Sequence, residues 1–186
     1  MAYTLEQFRA DHHAVLTSGA PLEQALPRIA EKLGILLRNL QFVAETFNDE
    51  TPVGRRELRH DPDTDVYVLA HVQQGAKKGT PHSHGASWAV YGNARAFTDM
   101  TEWRRVNPEN EPQAVLQPAA NYRMGPGDTR AYGPGIIHST EHPEKAWVIR
   151  VTGTDLDAIP RFRFKPERDR VAEPVSAAAN AQSSPD

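Results

Sequence analysis

Residues 80–92 read TPHSHGASWAVYG, and this stretch joins two histidines to the start of a β-strand pattern. His82 and His84 stand one residue apart, after a small polar turn and before an alternating, aromatic-containing run. In an extended chain, residues two apart face the same side, so we expect both imidazoles to point into one space. Neutral imidazole is a common ligand for Fe, Zn, Cu and Ni. The stretch therefore predicts part of a metal site in a β-rich chain.

Two imidazoles do not make a tight site, so a third ligand is expected from another part of the chain. The segment GPGIIH, residues 133–138, places His138 directly after a Gly-Pro turn at the start of a later strand. His142 is a competing candidate, and we interpret it as a neighbour of the site or as a surface residue. The predicted metal ligands are thus His82, His84 and His138.

Outward from these histidines, the chain alternates between short apolar runs and turn clusters. The runs are VYVLAHV, SWAVYGNARAF, AVLQPAANYRM and AWVIRVTG, separated by HDPDTD, QQGAKKGTP, GPGDTRAYGPG and EHPEK. Short strands at regular spacing with Gly/Pro turns predict an all-β sandwich or barrel, here over residues 51–165.

The segments that flank this barrel have different patterns. Residues 1–50 predict a helical segment packed on the barrel, with Thr4 and Gln7 as a capping box and Pro27 as a kink or break. Residues 166–186 are small, polar and proline-bearing, which predicts a largely disordered tail.

The composition excludes several classes of function. The chain has 186 residues, a formal net charge of −3 and no cysteine. A net negative charge argues against nucleic acid as a partner, and the lack of cysteine excludes disulfides and thiolate ligands. No apolar stretch is long enough to span a membrane and no signal peptide is visible, so we expect a cytoplasmic protein without a membrane partner.

The two histidine segments resemble the paired motifs of the cupin superfamily. The first motif has the form H-x-H with a glycine about eight residues further on, here His82, His84 and Gly92. The second is a Gly-Pro-rich turn that ends in histidine, here His138. The resemblance covers about residues 52–155 and implies a double-stranded β-helix, an all-β, jelly-roll-like barrel preceded by N-terminal helices. The resemblance also implies a homodimer that pairs through the barrel edges.

One departure from the cupin pattern points to a subgroup. Many cupins carry a glutamate four or five residues after the second histidine, where this chain has Trp88 and Ala89. The ligand set then resembles that of cysteine dioxygenase-like thiol dioxygenases, which hold Fe(II) with three histidines. This resemblance implies an oxidoreductase that uses O₂ to oxidise a small anionic thiol acid to a sulfinate.

Three residues are predicted to contact the substrate. The resemblance suggests Arg56 as the carboxylate-binding arginine, with Arg55 and Arg59 as its neighbours. Arg150 interrupts the apolar run AWVIRVTG, and an arginine that faces a barrel interior needs an anionic partner. Trp88 shares strand parity with the histidines and is predicted to wall the pocket, although a core position is an equal alternative.

Thiol dioxygenases of this subgroup carry a Ser-His-Tyr series on a late strand. The corresponding strand here is AWVIRVTGTD, and its alternating positions hold Arg150, Thr152 and Thr154 instead. No catalytic residue is therefore assigned.

Two other functions stay open. One is a metal-binding cupin that does not activate O₂, such as a lyase, an isomerase or a small-molecule sensor. The other is a three-histidine dioxygenase that cleaves diketones.

Overall fold

The computed structural model describes residues 2–111, 113–164 and 172–175, and within them three helices precede eleven strands. The helices are α1 (Leu5–Thr17), α2 (Leu22–Leu37) and α3 (Leu40–Thr46). The strands are β1 (Gly54–Asp61), β2 (Val66–Gln73), β3 (Lys77–Lys78), β4 (Ala89–Arg95), β5 (Thr98–Arg105), β6 (Leu116–Met124), β7 (Thr129–Tyr132), β8 (Ile137–His142), β9 (Ala146–Thr152), β10 (Arg161–Phe164) and β11 (Ala172–Val175).

The helices follow the sequence pattern closely. The Thr4 hydroxyl accepts a hydrogen bond from the Gln7 backbone N–H at 3.2 Å, and the Gln7 side chain accepts one from the Thr4 backbone N–H at 2.8 Å. These two bonds confirm the capping box. Pro27 does not split α2, which continues for ten residues beyond it. Burial of the apolar face of α2, including Ile29 and Leu33 at 0% exposure, offsets the backbone hydrogen bond that proline removes.

Two antiparallel sheets form the barrel. One sheet has the strand order β1-β2-β9-β4-β7, and the other has the order β3-β8-β5-β6. Strands that follow one another in the chain thus often lie in different sheets, as in a double-stranded β-helix. The predicted fold class is confirmed: an all-β, double-stranded β-helix barrel preceded by N-terminal helices.

Each face of the five-stranded sheet has its own partner. Val68, Ala70 and Val72 of β2 belong to the same buried cluster as the helices. His71 and Gln73, on the opposite face of β2, line a cavity between the two sheets. The strict alternation in β2 therefore separates the helix-packing core from the interior of the barrel.

Gly92 lets α2 approach the sheet closely. A Cβ atom on Gly92 would lie 2.5 Å from Leu37 Cδ1 and 2.9 Å from Leu33 Cδ2. The glycine of the first histidine motif is thus required by packing of the helix on β4, and it does not contact the histidines' cavity.

The predicted tail falls mostly outside the described residues. Its described part, Ala172–Val175, forms β11 and pairs antiparallel with β10. Among the described residues, no helix has both the length and the apolar composition needed to cross a membrane.

Candidate metal centre and ligand cavity

His82, His84 and His138 converge at one end of the barrel. His82 and His84 lie in the extended segment before β4, and His138 lies in β8. The backbones of His82 and His138 exchange two hydrogen bonds of 2.9 Å each, which bring the two segments together. One ring nitrogen from each of the three histidines lies within 4.8 Å of the others. The structure thus brings together the three residues predicted as ligands.

All three imidazoles are held in the neutral form that a metal requires. His84 and His138 are only 2% and 0% exposed, and burial lowers the pKa of each well below the usual 6.5. Burial also lowers the pKa of His82 to about 4. Protonation would give each ring a positive charge, and three such charges would repel one another. The cluster therefore favours a bound metal cation over bound protons.

The hydrogen bond of the His82 ring fits a metal site. The Nδ1 atom of His82 donates to the Thr80 carbonyl at 3.0 Å, which leaves Nε2 unprotonated and able to bind a metal. Such a bond from the other ring nitrogen is typical of metal-binding histidines. The buried Nδ1 atom of His84 has no hydrogen-bond partner among the described residues. The three rings therefore fit a divalent first-row metal such as Fe(II) or Zn(II).

Tyr91 supplies a hydroxyl group at the histidines. Its oxygen lies 3.2 Å from His84 Nε2 and 3.5 Å from His138 Nε2. The sequence analysis assigned this tyrosine no place in the site. The sequence feature that could have identified Tyr91 is its position two residues before the polar Asn93, which places both side chains on one face of β4. Both residues line the cavity.

A second tyrosine fixes the ring of His138. Tyr132 stacks on His138 with a centroid distance of 4.1 Å and an interplanar angle of 12°. Its hydroxyl lies 2.5 Å from that of Tyr122, which donates to Glu102 at 2.9 Å. Arg130 contacts the same carboxylate at 2.6 Å. This network extends from the candidate metal site to the outer surface and restrains the orientation of His138.

A cavity of about 170 Å³ adjoins the histidines. Its lining residues are His71, Gln73, Lys77, Gly79, His82, Tyr91, Asn93, Thr98, Met100, Met124, Thr140, His142, Val148 and Arg150. None of these residues carries a carboxylate, and two of them are cationic at neutral pH. The cavity thus favours an anionic ligand.

Arg150 faces this cavity, in the interior position that the sequence predicts. It lies opposite Leu69 of β2 and Tyr91 of β4 in the sheet. Its Nε atom is buried without a hydrogen-bond partner, and no carboxylate pairs with its guanidinium among the described residues. Its positive charge helps to lower the pKa of each of the three histidines, after the larger effect of burial.

The structure does not bring Arg56 to the cavity, which corrects the placement taken from the resemblance. Arg56 lies opposite Ala70, whose side chain faces the helices, so Arg56 points to the same outer side. There its guanidinium donates to the Thr46 carbonyl at 2.8 Å. Its neighbour Arg55 lies opposite His71 but extends to Asp157, at 2.7 Å.

Trp88 also lies away from the cavity. It is 7% exposed and belongs to the core shared by the sheet and the helices. The prediction assumed that side chains alternate between faces without interruption from His84 to Trp88. A turn at Gly85, where φ is +61°, interrupts this alternation. The sequence therefore predicted the wrong face for Trp88, and the alternative core position is the one observed.

Two further histidines line the cavity but lie outside the convergent group of three. His142 places Nδ1 3.3 Å from the Thr98 hydroxyl, and burial lowers its pKa to about 4. The Nε2 atom of His71 is buried and has no hydrogen-bond partner among the described residues.

No protein-family model matches the chain, and no curated protein is similar to it in sequence. Solved structures with a similar fold include the DMSP lyase DddQ from Ruegeria pomeroyi DSS-3, with 14% identity over 66% of this chain and 58% of that one, and a TM-score of 0.44. A cupin superfamily protein from Desulfitobacterium hafniense DCB-2 has 10% identity over 61% of this chain and 87% of that one, with a TM-score of 0.43.

A third similar structure is the hydroquinone 1,2-dioxygenase PnpCD, with 10% identity over 59% of this chain and 69% of that one, and a TM-score of 0.45. This chain spans less than two thirds of the length of DddQ. At such low identities these likenesses assign no activity to the chain.

Proposed function

We propose that this protein is a mononuclear, non-haem Fe(II) dioxygenase that oxidises a small thiol acid to a sulfinate. The observation that supports the proposal is the position of Arg150, which forms no ion pair with the described residues and lies beside three neutral histidines in a cavity whose lining residues carry no carboxylate. A partly buried guanidinium is costly unless it is paired, and a substrate carboxylate is a well-matched bidentate partner.

The charge of the cavity favours a substrate with more than one negative group. Three neutral ligands leave a bound divalent metal with its full charge, and Arg150 adds one more positive charge. A thiolate and a carboxylate on one small molecule would offset both of these charges. The α-ammonium group of cysteine would find no lining carboxylate, so we expect an acid without an amino group to be the better substrate.

When bound to the three histidines, Fe(II) would provide open coordination positions and the redox chemistry with O₂. The overall reaction is RSH + O₂ → RSO₂H, in which sulfur gives up four electrons and receives both oxygen atoms. No other reductant is needed.

The residues of the chain would position and enclose the substrate. The guanidinium of Arg150 would hold the carboxylate and so fix the direction of the sulfur atom. The Tyr91 hydroxyl, 3.2 Å from His84 Nε2, would donate a hydrogen bond at the reacting end. Met100, Met124 and Val148 form the apolar part of the wall and would limit the entry of water.

The test is metal analysis followed by oxygen-uptake measurements on protein loaded with Fe(II) or Zn(II). We expect uptake only in the Fe(II) form, one O₂ for each sulfinate formed, and both atoms of labelled O₂ in the product. A mercapto monoacid should have a higher kcat/KM than cysteine. Cysteine as the best substrate, or a product without labelled oxygen, would contradict the proposal.

A redox-inert lyase or isomerase is the second candidate, and the Tyr91 hydroxyl is the observation that favours it. A phenol beside a Lewis-acidic metal could act as a general acid or base. This candidate would convert its substrate in the Zn(II) form without consuming oxygen. The two metal forms of the same experiment therefore separate the two functions.

A further inference from the structure

The cavity is also lined by a second cation, the exposed Lys77, at the end away from the three histidines. Lys77 lies opposite His142 in the β3–β8 pair. His142 is four residues beyond His138 in β8, which corresponds to about 13 Å along the strand. Lys77 lines the cavity and has no ion pair or hydrogen bond with the described residues.

In the facing sheet, successive rows of residues also lead away from the histidines along the cavity. Arg150 lies opposite Tyr91, in the row of residues nearest the histidines. His71 lies opposite Val148 in the next row, and Gln73 lies opposite Ala146 in the row beyond it. Each row adds about 7 Å along the strand. The cavity therefore extends from the histidines and Arg150 to a rim formed by Gln73 and Lys77.

Lys77 and its neighbour Lys78 are both exposed, but they have different partners. The Lys78 side chain is 78% exposed and pairs with Glu141 at 3.3 Å. Successive residues of a strand point to opposite faces, so only Lys77 is directed toward the cavity. The two residues have the same charge in adjacent positions, but among the described residues only Lys78 forms an ion pair.

His142 contributes no permanent charge to this rim. Asn93 donates its amide N–H to the Ala96 carbonyl at 3.1 Å, so its amide oxygen accepts from the Thr98 hydroxyl at 2.8 Å. The Thr98 oxygen must then accept the Nδ1–H of His142, which leaves Nε2 of that ring as an acceptor. With its pKa lowered by burial to about 4, His142 is neutral at physiological pH. Lys77 is thus the cation that would attract an anion to the rim.

We propose that Lys77 forms a second anion subsite, so that the natural substrate carries two anionic groups: one held by Arg150 and one by Lys77. Because the inference rests on the proposed function for its reacting group, the substrate class is a small dicarboxylic acid that bears a thiol. The volume suits such a molecule, since an apolar cavity of about 150 Å³ binds benzene and this one measures about 170 Å³.

The first test measures binding without turnover. Zn(II)-loaded protein is titrated by calorimetry with dicarboxylates of four to six carbons and with monocarboxylates of matched length. We expect the best dicarboxylate to bind about tenfold more tightly than its monocarboxylate, a difference of about 1.4 kcal/mol. Lys77→Gln should abolish this preference, whereas the control Lys78→Gln should retain it.

A charge reversal provides a second variant. Lys77→Glu should favour an ω-amino acid over the dicarboxylate of the same length, because the rim then carries the opposite charge. The subsite is overturned if the wild type shows no preference for dicarboxylates, or if both lysine variants retain the wild-type preference.

Oxygen uptake separates this inference from the proposed function. In the Fe(II) form, Lys77→Gln should lower the ratio of kcat/KM for a mercapto diacid to that for a mercapto monoacid by about tenfold. If the dicarboxylate preference depends on Lys77 but no thiol supports oxygen uptake, the subsite stands and the dioxygenase proposal fails. If thiols are oxidised but Lys77→Gln leaves the ratio unchanged, the dioxygenase stands and the subsite fails.

Discussion

Replacement of Arg150 by methionine should weaken the binding of an acidic substrate and, at the same time, stabilise the ligand-free protein. Methionine keeps the length and the apolar stem of arginine but removes the guanidinium. The Nε atom of Arg150 is buried and has no hydrogen-bond partner in the part of the chain that the structure describes. An unsatisfied buried polar group costs about 1–3 kcal/mol. For a protein of this size, that corresponds to an increase in Tm of about 2–12 °C.

The effect on the substrate has the opposite sign. Truncation of one partner in a buried, hydrogen-bonded charge pair costs about 2–5 kcal/mol, so kcat/KM for a thiol acid should fall by about 30-fold to several thousand-fold. The assays are thermal unfolding at equal metal content and steady-state oxygen uptake. Gain of stability with loss of function is a signature of a residue that is retained for binding.

Arg56→Met is the matched control. It removes the same charge from the outer face of the sheet, where the guanidinium donates to the Thr46 carbonyl at 2.8 Å. This variant should lose some stability and keep the wild-type kcat/KM. If Arg150→Met instead lowers Tm while substrate kinetics stay unchanged, Arg150 is a structural residue and the reasoning is refuted.

Three further predictions concern the metal site, the packing of α2 and the response to pH. His138→Ala should lose most of its bound metal by elemental analysis, whereas His142→Ala should keep it; the reverse result would reassign the third ligand. Gly92→Ala should lower the free energy of unfolding by about 1–3 kcal/mol in urea titrations, because the added methyl group overlaps two leucines of α2. Gly133→Ala, with open space around its Cα, is the control and should change little. His12→Leu should stabilise the protein by about 2 kcal/mol more at pH 5 than at pH 7.5. Burial lowers the pKa of His12 to about 4, so the unfolded chain takes up a proton near pH 6.5 that the folded protein rejects, and wild-type stability falls as the pH decreases from 6.5 to 4. An equal effect of the substitution at both pH values would contradict this assignment.

The sequence alone predicted the fold class, the shared face of His82 and His84, and, from a separate motif, His138 as the third ligand. The strand pattern and the shared face of the first two histidines depend on local properties of the chain. Alternation within a strand sets which residues share a face, and Gly-Pro turns mark where strands begin and end. The capping box at Thr4 is equally local, because its two hydrogen bonds join residues three apart.

Tertiary structure alone decided which residues surround the histidines. Arg55 and Arg56 are indistinguishable in sequence, and only the pairing of β1 with β2 places Arg56 on the helix side of the sheet. A shift of one residue in register would exchange their faces. Trp88 was misplaced because the turn at Gly85 resets the alternation before β4. Lys77 reaches the cavity only through the pairing of β3 with β8, across more than sixty residues of chain. The face of a side chain within its strand is a local property, whereas the surroundings of that face depend on contacts between distant segments, which no local pattern encodes.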